Sequence, residues 1–463
     1  MRSGGGSRRH GRLTARLGFV VACGAVAFAC DGGRHRVMAR DGGPGEIPDA
    51  HRTPDAAGRT TADAGLRPVT DATPPGERGD AGPGPVTDAT PPGERGDAGP
   101  GPDSGVTSPV DGGGTPYTWT LPPGFPVPVV PADNPMTVEK VRLGRYLFYD
   151  TRLSGNQTQS CATCHQQQLA FTDGRAQGLG STGMLHPRSP MSLANVAYAS
   201  TLTWANPLMA DLEHQALVPM FGDDPIELGL NSEDTLDTRL SAVPIYETLF
   251  AAAWPGDPSP VTGNHVVQAL ASFERTLISG RSPFDRYQYG DTGALSASAQ
   301  RGYALFNSDA AGCFHCHIGF NLTDHVNWAG KAFFETPYHN TGLYNIDGKG
   351  AYPEPNTGVE HVTHQARDMG RFKAPTLRNI AKTAPYMHDG SIATLDGVLD
   401  HYAAGGRTIT SGPYAGHGNL NPYKDSVVEG FTITADQRAD LLAFLDSLTD
   451  DAFLTDPDLS SPW

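Results

Sequence analysis

Cys161-Ala162-Thr163-Cys164-His165 and Cys313-Phe314-His315-Cys316-His317 are two copies of one pattern, C-x-x-C-H. This spacing is the attachment signature of c-type haem. The two thiols bond to the porphyrin vinyl groups. The adjacent histidine turns an imidazole onto the iron, and that axial ligand helps to set the potential. Two other chemistries use cysteine pairs. Four thiols together could hold zinc, and one pair could serve as a redox dithiol. Neither requires a histidine directly after the second cysteine, twice. Of the six cysteines, only Cys23 and Cys30 lie outside the motifs, and both fall near the N-terminus. They lie within residues 1–30, which read as an export segment, so beyond it no cysteine is left for a structural disulfide. The expectation is two covalently bound c-type haems, with His165 and His317 on the irons.

The N-terminus reads Arg8-Arg9-His10-Gly11-Arg12, followed by an apolar stretch from Leu13 to Ala29. A basic n-region ahead of a short h-region reads as an export signal over residues 1–30. Ala27-Phe28-Ala29-Cys30 puts small residues before a cysteine, as in a bacterial lipoprotein signal. Lipid attachment at Cys30 is one outcome and ordinary signal cleavage the other. Either implies a periplasmic or cell-surface protein, which suits a haem attached outside the bacterial cytoplasm. Residues 31–116 are rich in Gly, Pro, Asp, Ala and Thr, and repeat PVTDATPPGERGDAGPG at 68–84 and 85–101. Such a segment cannot bury enough apolar surface to offset its ordering entropy. It reads as a disordered linker, a flexible tether or an inert spacer. The formal net charge of −16 argues against a nucleic-acid partner.

Each haem motif follows a similar segment. Leu143-Gly144-Arg145-Tyr146-Leu147-Phe148 precedes the first, and Arg301-Gly302-Tyr303-Ala304-Leu305-Phe306 the second. Upstream periodicity at Val138, Val141 and Leu147, and at Leu295, Ala299 and Phe306, predicts an amphipathic helix before each motif. A last helix is predicted from Thr434, with Gln437 completing a capping box, through Leu441, Leu442, Leu445 and Leu448. Extended runs are scarce. The fold class expected is mostly α: two cytochrome c-like haem domains with long loops, over 117–290 and 291–463.

Three further stretches carry a resemblance: SCATCHQQQLAFTDGR, MSLANVAY and FKAPTLRNIAKTAPYMHDGSIATLDGVLDHYAAGG. From about Met136 to Leu448 the chain resembles the bacterial dihaem cytochrome c peroxidases and MauG-like enzymes. Trp204-Ala205-Asn206-Pro207-Leu208 and the HYAAGG ending look most like the methanobactin-associated, MbnH-like members. The resemblance implies unequal haems. The one on His165 would meet hydrogen peroxide at an open distal side, and the one on His317 would be six-coordinate and relay electrons.

The resemblance also implies roles for single residues. Tyr402 corresponds to the sixth ligand of the second haem, a tyrosine in MauG-like enzymes and a methionine in electron-accepting peroxidases. Met387, inside PYMHDG, is the alternative ligand. Glu227 matches the distal carboxylate that moves a proton as the peroxide O–O bond breaks; the bland alternative is a surface carboxylate beside Asp223 and Asp224. A distal glutamine of many relatives appears here as Phe221. Trp204 falls where the family places a tryptophan between the haems, or is simply a large core aromatic. Asn195, Thr383 and Pro385 match an interdomain calcium site of neutral oxygens. His186 stands near the loop where some relatives place a histidine that blocks the first haem at rest, but its flanking residues differ and it reads as a loop histidine; Arg378 reads as support for a haem propionate or the domain interface.

The implied activity is a peroxide-driven dihaem oxidoreductase. In the MauG and MbnH-like case, both irons would become formally Fe(IV) and oxidise a partner protein, at tryptophan. The alternative is a cytochrome c peroxidase fed with electrons by a small redox protein. A third reading, an electron-transfer cytochrome with both irons saturated, fits poorly with Glu227 beside an open haem.

Overall fold

The computed structural model describes residues 113–463. The export signal, Cys30 and the tandem repeat lie outside the described residues. Twelve α-helices carry the described chain: α1 Val138–Phe148, α2 Cys161–Cys164, α3 Leu212–Phe221, α4 Glu233–Ser241, α5 Pro244–Ala253 and α6 Gly263–Glu274, then α7 Pro283–Gln288, α8 Ala297–Phe306, α9 Glu360–Thr363, α10 Leu395–Ala403, α11 Ala435–Asp446 and α12 Asp451–Thr455. Extended structure is confined to isolated bridges and one antiparallel ribbon. In that ribbon β1 (Thr408–Ile409) pairs with β2 (Gly416–His417), with Thr408 opposite His417. The mostly helical, loop-rich expectation therefore holds. Thr115 and Pro116, at the end of the stretch assigned to the linker, are already tied to the start of α1. Val138 N–H donates to Thr115 O, and Pro116 bridges Thr137. No helix among the described residues is long and apolar enough to cross a membrane.

One packing device appears twice. α1 crosses α6 at Gly144, where a Cβ would come within 1.9 Å of Ala269 O. α8 crosses α11 at Gly302, where a Cβ would come within 1.9 Å of Asp440 O. Glycine at each crossing lets two backbones touch. Four residues on from each glycine, Phe148 and Phe306 are buried in their respective cores. The similar segments seen in the sequence are thus the same crossing in two cores.

That crossing also corrects the face expected for α1. Val138 is 47% exposed and Val141 only half-buried, whereas Lys140, Leu143, Gly144, Leu147 and Phe148 are buried. Gly144 must face α6, so the helix turns Lys140 inward with it. The ammonium is satisfied there by Asn134 Oδ1 at 3.1 Å and Pro135 O at 3.2 Å. For α8 the expected face is correct, with Leu295, Ala299 and Phe306 all buried. The α11 capping box is present: Gln437 N–H donates to Thr434 Oγ1, and Thr434 N–H to Gln437 Oε1. Leu448 lies just past the end of α11 and is fully buried.

Two hydrophobic cores result. The first gathers side chains from α1, α3, α4, α5 and α6, and the second from α8, α10, α11 and the long loops between. The chain's last segment leaves the second core and joins the first. Phe453, Leu454 and Leu459 bury there. Gln167 Nε2 donates to Phe453 O and Asp456 O, and Tyr149 donates from its hydroxyl to Leu459 O.

Candidate haem and peroxide site

The first motif begins at Ser160, whose N–H donates to Thr163 Oγ1 and starts α2. A single helical turn puts Cys161 and Cys164, three residues apart, on one side. The next loop, Gln166 to Thr172, closes on itself: Gln166 N–H donates to Thr172 O, with Ala170 and Phe171 both in the left-handed region. This turn aims Phe171 O at the ring of His165, whose Nδ1 donates to it at 2.8 Å. The second motif repeats the arrangement. Leu322 is left-handed, and its carbonyl takes the Nδ1 proton of His317 at 3.1 Å. In both rings the backbone carbonyl fixes the tautomer and leaves Nε2 as the ligating nitrogen.

The four thiols fit haem and not the alternatives. Cys161 packs against the first core and Cys313 against the second, so the pairs serve separate cores. Burial pushes the Cys161 thiol well up, Cys164 up to about 11 and Cys313 up to about 12. A redox dithiol needs the opposite shift. The one cluster of metal-ligating side chains among the described residues is Cys316, Asp324 and His339. Its ligand valence is already used internally. His339 donates from Nδ1 to Asp425 and from Nε2 to Asp324, at 2.7 Å each, and these hydrogen bonds push it up to about 12 against the opposing effect of burial.

A cavity of about 700 Å³, in the size range of cofactor pockets, opens at the first motif and is lined by Cys161, Cys164 and His165. Leu179, Met184, Leu212, Leu228 and Leu270 give it a largely apolar wall. Glu227 lines it as well. Its backbone is pinned on both sides: Ser181 N–H donates to Glu227 O at 2.7 Å, and Leu228 N–H to Pro219 O at 2.8 Å. Gly180 permits this approach, since a Cβ there would meet Ile226 O at 1.9 Å. The Glu227 side chain is 36% exposed and lines the cavity, which makes it a walled but not a sealed carboxyl. Burial alone raises it to about 7. It is not the surface carboxylate of the bland reading, while Asp223 and Asp224 beside it are exposed.

Trp204 lines this cavity and also a smaller one of about 110 Å³. Its Nε1 donates to Ser189 O at 2.8 Å, and its carbonyl accepts from Lys373 N–H. Asn195, Thr383 and Pro385 all line the smaller cavity. Asn195 Oδ1 accepts from Ser279 N–H, and its Nδ2 donates to Ser279 O and Asn321 Oδ1. One lone pair on Oδ1 remains for a cation. Met387 also lines the smaller cavity.

Tyr402 sits in the last turn of α10, whose N-terminus is capped by Thr394 Oγ1 accepting from Gly397 N–H. Burial, then the nearby Cys316 and Cys313 thiols, hold its phenol above the ordinary value. The residue that the resemblance pairs with the second haem therefore stands at the second motif.

The structure places three further candidates. His186 is on a loop, as read, but its ring lines the large cavity with Nε2 3.8 Å from Glu227 Oε1. Phe221 does not line that cavity; it packs against the first core, and Gln215 lines the wall one turn and a half earlier on α3. Arg378 makes no open contact: it is 1% exposed, doubly bonded to Asp285 at 2.9 Å and donates to Phe320 O. Sequence reasoning also missed Glu274 at the end of α6. It lines the large cavity, is 6% exposed, has no hydrogen-bond partner for Oε2, and is raised to about 8, chiefly by burial.

Known proteins resemble the chain in the same terms. The family model for di-haem cytochrome c peroxidase matches residues 138–293. The methylamine utilization protein MauG of Methylorubrum extorquens is 36% identical over 333 residues, 71% of this chain and 84% of that protein. Cytochrome-c peroxidase IdrP1 of Denitromonas iodatirespirans is 35% identical over 349 residues, 71% of this chain and 87% of that protein. A crystal structure of a MauG-like protein associated with microbial copper homeostasis matches with a TM-score of 0.74 at 48% identity. That match covers 75% of this chain and 99% of the other. Fold, motifs and relatives define a haem-dependent oxidoreductase acting on peroxide. The chain belongs to the dihaem cytochrome c peroxidase and MauG family.

Proposed function

We propose that this protein uses hydrogen peroxide to oxidise a partner protein at tryptophan, as a MauG and MbnH-like member of its family. The observation that carries the reading is the asymmetry of the two motifs. The His165 motif borders a large cavity containing a carboxyl with a pKa of about 7, and the His317 motif is faced by Tyr402. Hydrogen peroxide supplies the oxidising equivalents, which the haems, when attached, would take up and pass on. The chain supplies the rest.

Cys161, Cys164, Cys313 and Cys316 hold the two groups, and His165 and His317 are oriented by Phe171 O and Leu322 O. Glu227 takes a proton from one peroxide oxygen and returns it to the other, a transfer for which a pKa near neutrality is suited. His186, pushed toward its neutral form by burial, stands 3.8 Å from that carboxyl and leaves it free to cycle. Tyr402, a hard anionic donor when ionised, favours the oxidised state of the metal it faces. Trp204, in the wall shared by both cavities, carries electrons between the two halves. Each of the two cores serves as one haem domain, the first completed by Phe453, Leu454 and Leu459 from the far end of the chain. Asn195, Thr383 and Pro385 hold a calcium ion between them. The chain works in the periplasm or at the cell surface, held there by Cys30 if that residue is lipidated.

The test is mass spectrometry of a secreted partner encoded beside this gene, co-expressed with the holoenzyme, with and without peroxide. Oxygen gain on a tryptophan of the partner is the expected result. Peroxide turnover with electrons from a small redox protein, and no oxygen gain on any aromatic residue, would favour the plain peroxidase.

A further inference from the structure

Five aromatic rings outside the site described above touch in sequence. Tyr414 lies in the turn between β1 and β2 and is 45% exposed. Its ring meets that of Tyr344 edge-on at 5.8 Å between centroids. Tyr344 meets the buried Tyr352 at 5.5 Å. Tyr352 in turn lies 6.5 Å from His388 and 6.2 Å from Phe372, which stack on each other at 3.6 Å and 9°. At the inner end, Ser189 N–H donates to His388 O at 2.8 Å, and Ser189 O accepts from Trp204 Nε1 at 2.8 Å. Arg188, Ser189 and Trp204 all line the large cavity. An unbroken series of hydrogen bonds and ring contacts thus runs from the cavity wall to solvent.

We propose that Tyr352, Tyr344 and Tyr414 form an electron relay joining the Trp204 side of the large cavity to the surface, with Tyr414 as the point where a partner's phenol or indole side chain is oxidised. This rests on the peroxide-driven reading above and adds the place where the partner's electrons enter.

Proton acceptors distinguish the members. Oxidising a phenol is far easier when its proton can leave with the electron. Tyr344 donates its hydroxyl proton to Asp389 Oδ2 at 2.6 Å. Asp389 is held below the ordinary carboxylate range by His388, Tyr344 and Ser391, so it is ionised and able to accept. Tyr352 instead donates to the amide oxygen of Asn340, which is no base. Tyr344 is therefore the site where a radical rests, and Tyr352 is a bridge. Tyr414, being exposed, releases its proton to water.

The electron count closes. Reduction of one hydrogen peroxide to two waters takes two electrons and two protons, so the relay passes twice. In each pass an electron leaves Tyr344 inward and its proton moves to Asp389. Tyr414 then returns an electron to Tyr344, which recovers its proton from Asp389. The partner's aromatic side chain returns an electron to Tyr414 and is itself oxidised by one electron, with its proton and that of Tyr414 exchanged with water.

The holoenzyme is mixed with hydrogen peroxide and the spin trap tert-nitrosobutane, its haem absorption is followed, and trapped residues are mapped by mass spectrometry. Tyr289, 49% exposed and outside the relay, is the internal control. The expected result is a peroxide-dependent haem absorption change with the adduct concentrated on Tyr414 and not on Tyr289. In Tyr344→Phe the absorption change persists and the Tyr414 adduct falls to the Tyr289 level. In Tyr414→Phe, a surface change without folding consequence, the adduct moves inward to Tyr344 or disappears. Equal labelling of Tyr414 and Tyr289, or undiminished labelling of Tyr414 in Tyr344→Phe, overturns the relay alone. Loss of the absorption change in the wild-type holoenzyme overturns the peroxide reading and the relay together.

Discussion

His186 Nε2 lies 3.8 Å from Glu227 Oε1, and both side chains line the cavity at the first haem motif. Burial lowers the histidine and raises the carboxyl to about 7. Each group is thus pushed toward its uncharged form, and the pair is a proton-handling couple more than an ion pair.

The first prediction is a pH profile. Glu227 must be ionised to accept a proton from peroxide. Its pKa is raised, so the competent carboxylate is lost as pH falls through about 7. kcat/KM for peroxide is expected to rise with pH through that region. Glu227→Gln should lower it by about 10²- to 10⁴-fold, the usual range for a general acid–base group, and abolish the rise. A profile unchanged by the substitution would remove Glu227 from the proton path.

Glu274 predicts a pH-dependent stability. Its folded pKa of about 8 lies above the ordinary carboxylate value, so the folded state binds more protons than the unfolded one between roughly pH 4.5 and 8. Stability from this group is therefore present at low pH and declines as pH rises across that window. Its near-complete burial makes the total effect on the order of a few kcal/mol. Glu274→Gln should lose that decline, measured as the difference in Tm between variant and wild type at pH 5 and pH 8. A constant difference would mean the carboxyl is solvated.

Tyr402 and Met387 make opposite spectroscopic predictions. Tyr402→Phe is expected to change the absorption and electron paramagnetic resonance of the second haem and raise its potential. Met387→Ala should leave both untouched. A methionine charge-transfer band abolished by Met387→Ala would reassign the ligand.

The Arg378–Asp285 pair predicts a large structural cost. Both residues are almost fully buried and joined by two bonds of 2.9 Å. Removing either partner strands a buried charge, a change of about 3–5 kcal/mol. Asp285→Ala and Arg378→Ala should each lower the denaturation midpoint strongly, without altering the haem spectrum of whatever remains folded. A spectral change would place the guanidinium at a haem after all.

Local chemistry was legible in the sequence and three-dimensional convergence was not. The haem pentapeptides, the capping box at Thr434 and the buried face of α8 follow from spacing alone. The α1 face did not, because Gly144 is silent in a hydrophobic pattern yet decides which way the helix turns. Resemblance singled out Glu227, which lines the cavity at the first motif, and Tyr402, whose phenol lies near the second motif's thiols. Glu274 was hidden because a carboxylate next to an arginine at a helix end reads as surface charge. Nothing in the sequence around Tyr344, Tyr352 and Tyr414 announces a series of touching rings, since the residues between them are turns and loops. The partner of Arg378 was not foreseen, because Asp285 lies far away along the chain.

The last residues of the chain bear on how the molecule is made. Phe453, Leu454 and Leu459 complete the core built around Cys161 and His165, and Gln167, directly after that motif, donates to Phe453 O and Asp456 O. The half that is synthesised first is consequently the last to be finished. Its haem motif stays loosely enclosed until that segment docks, which leaves the two thiols reachable by an attachment enzyme until then. A premature stop after Leu448 would spare most of the second core and yet leave the first one open.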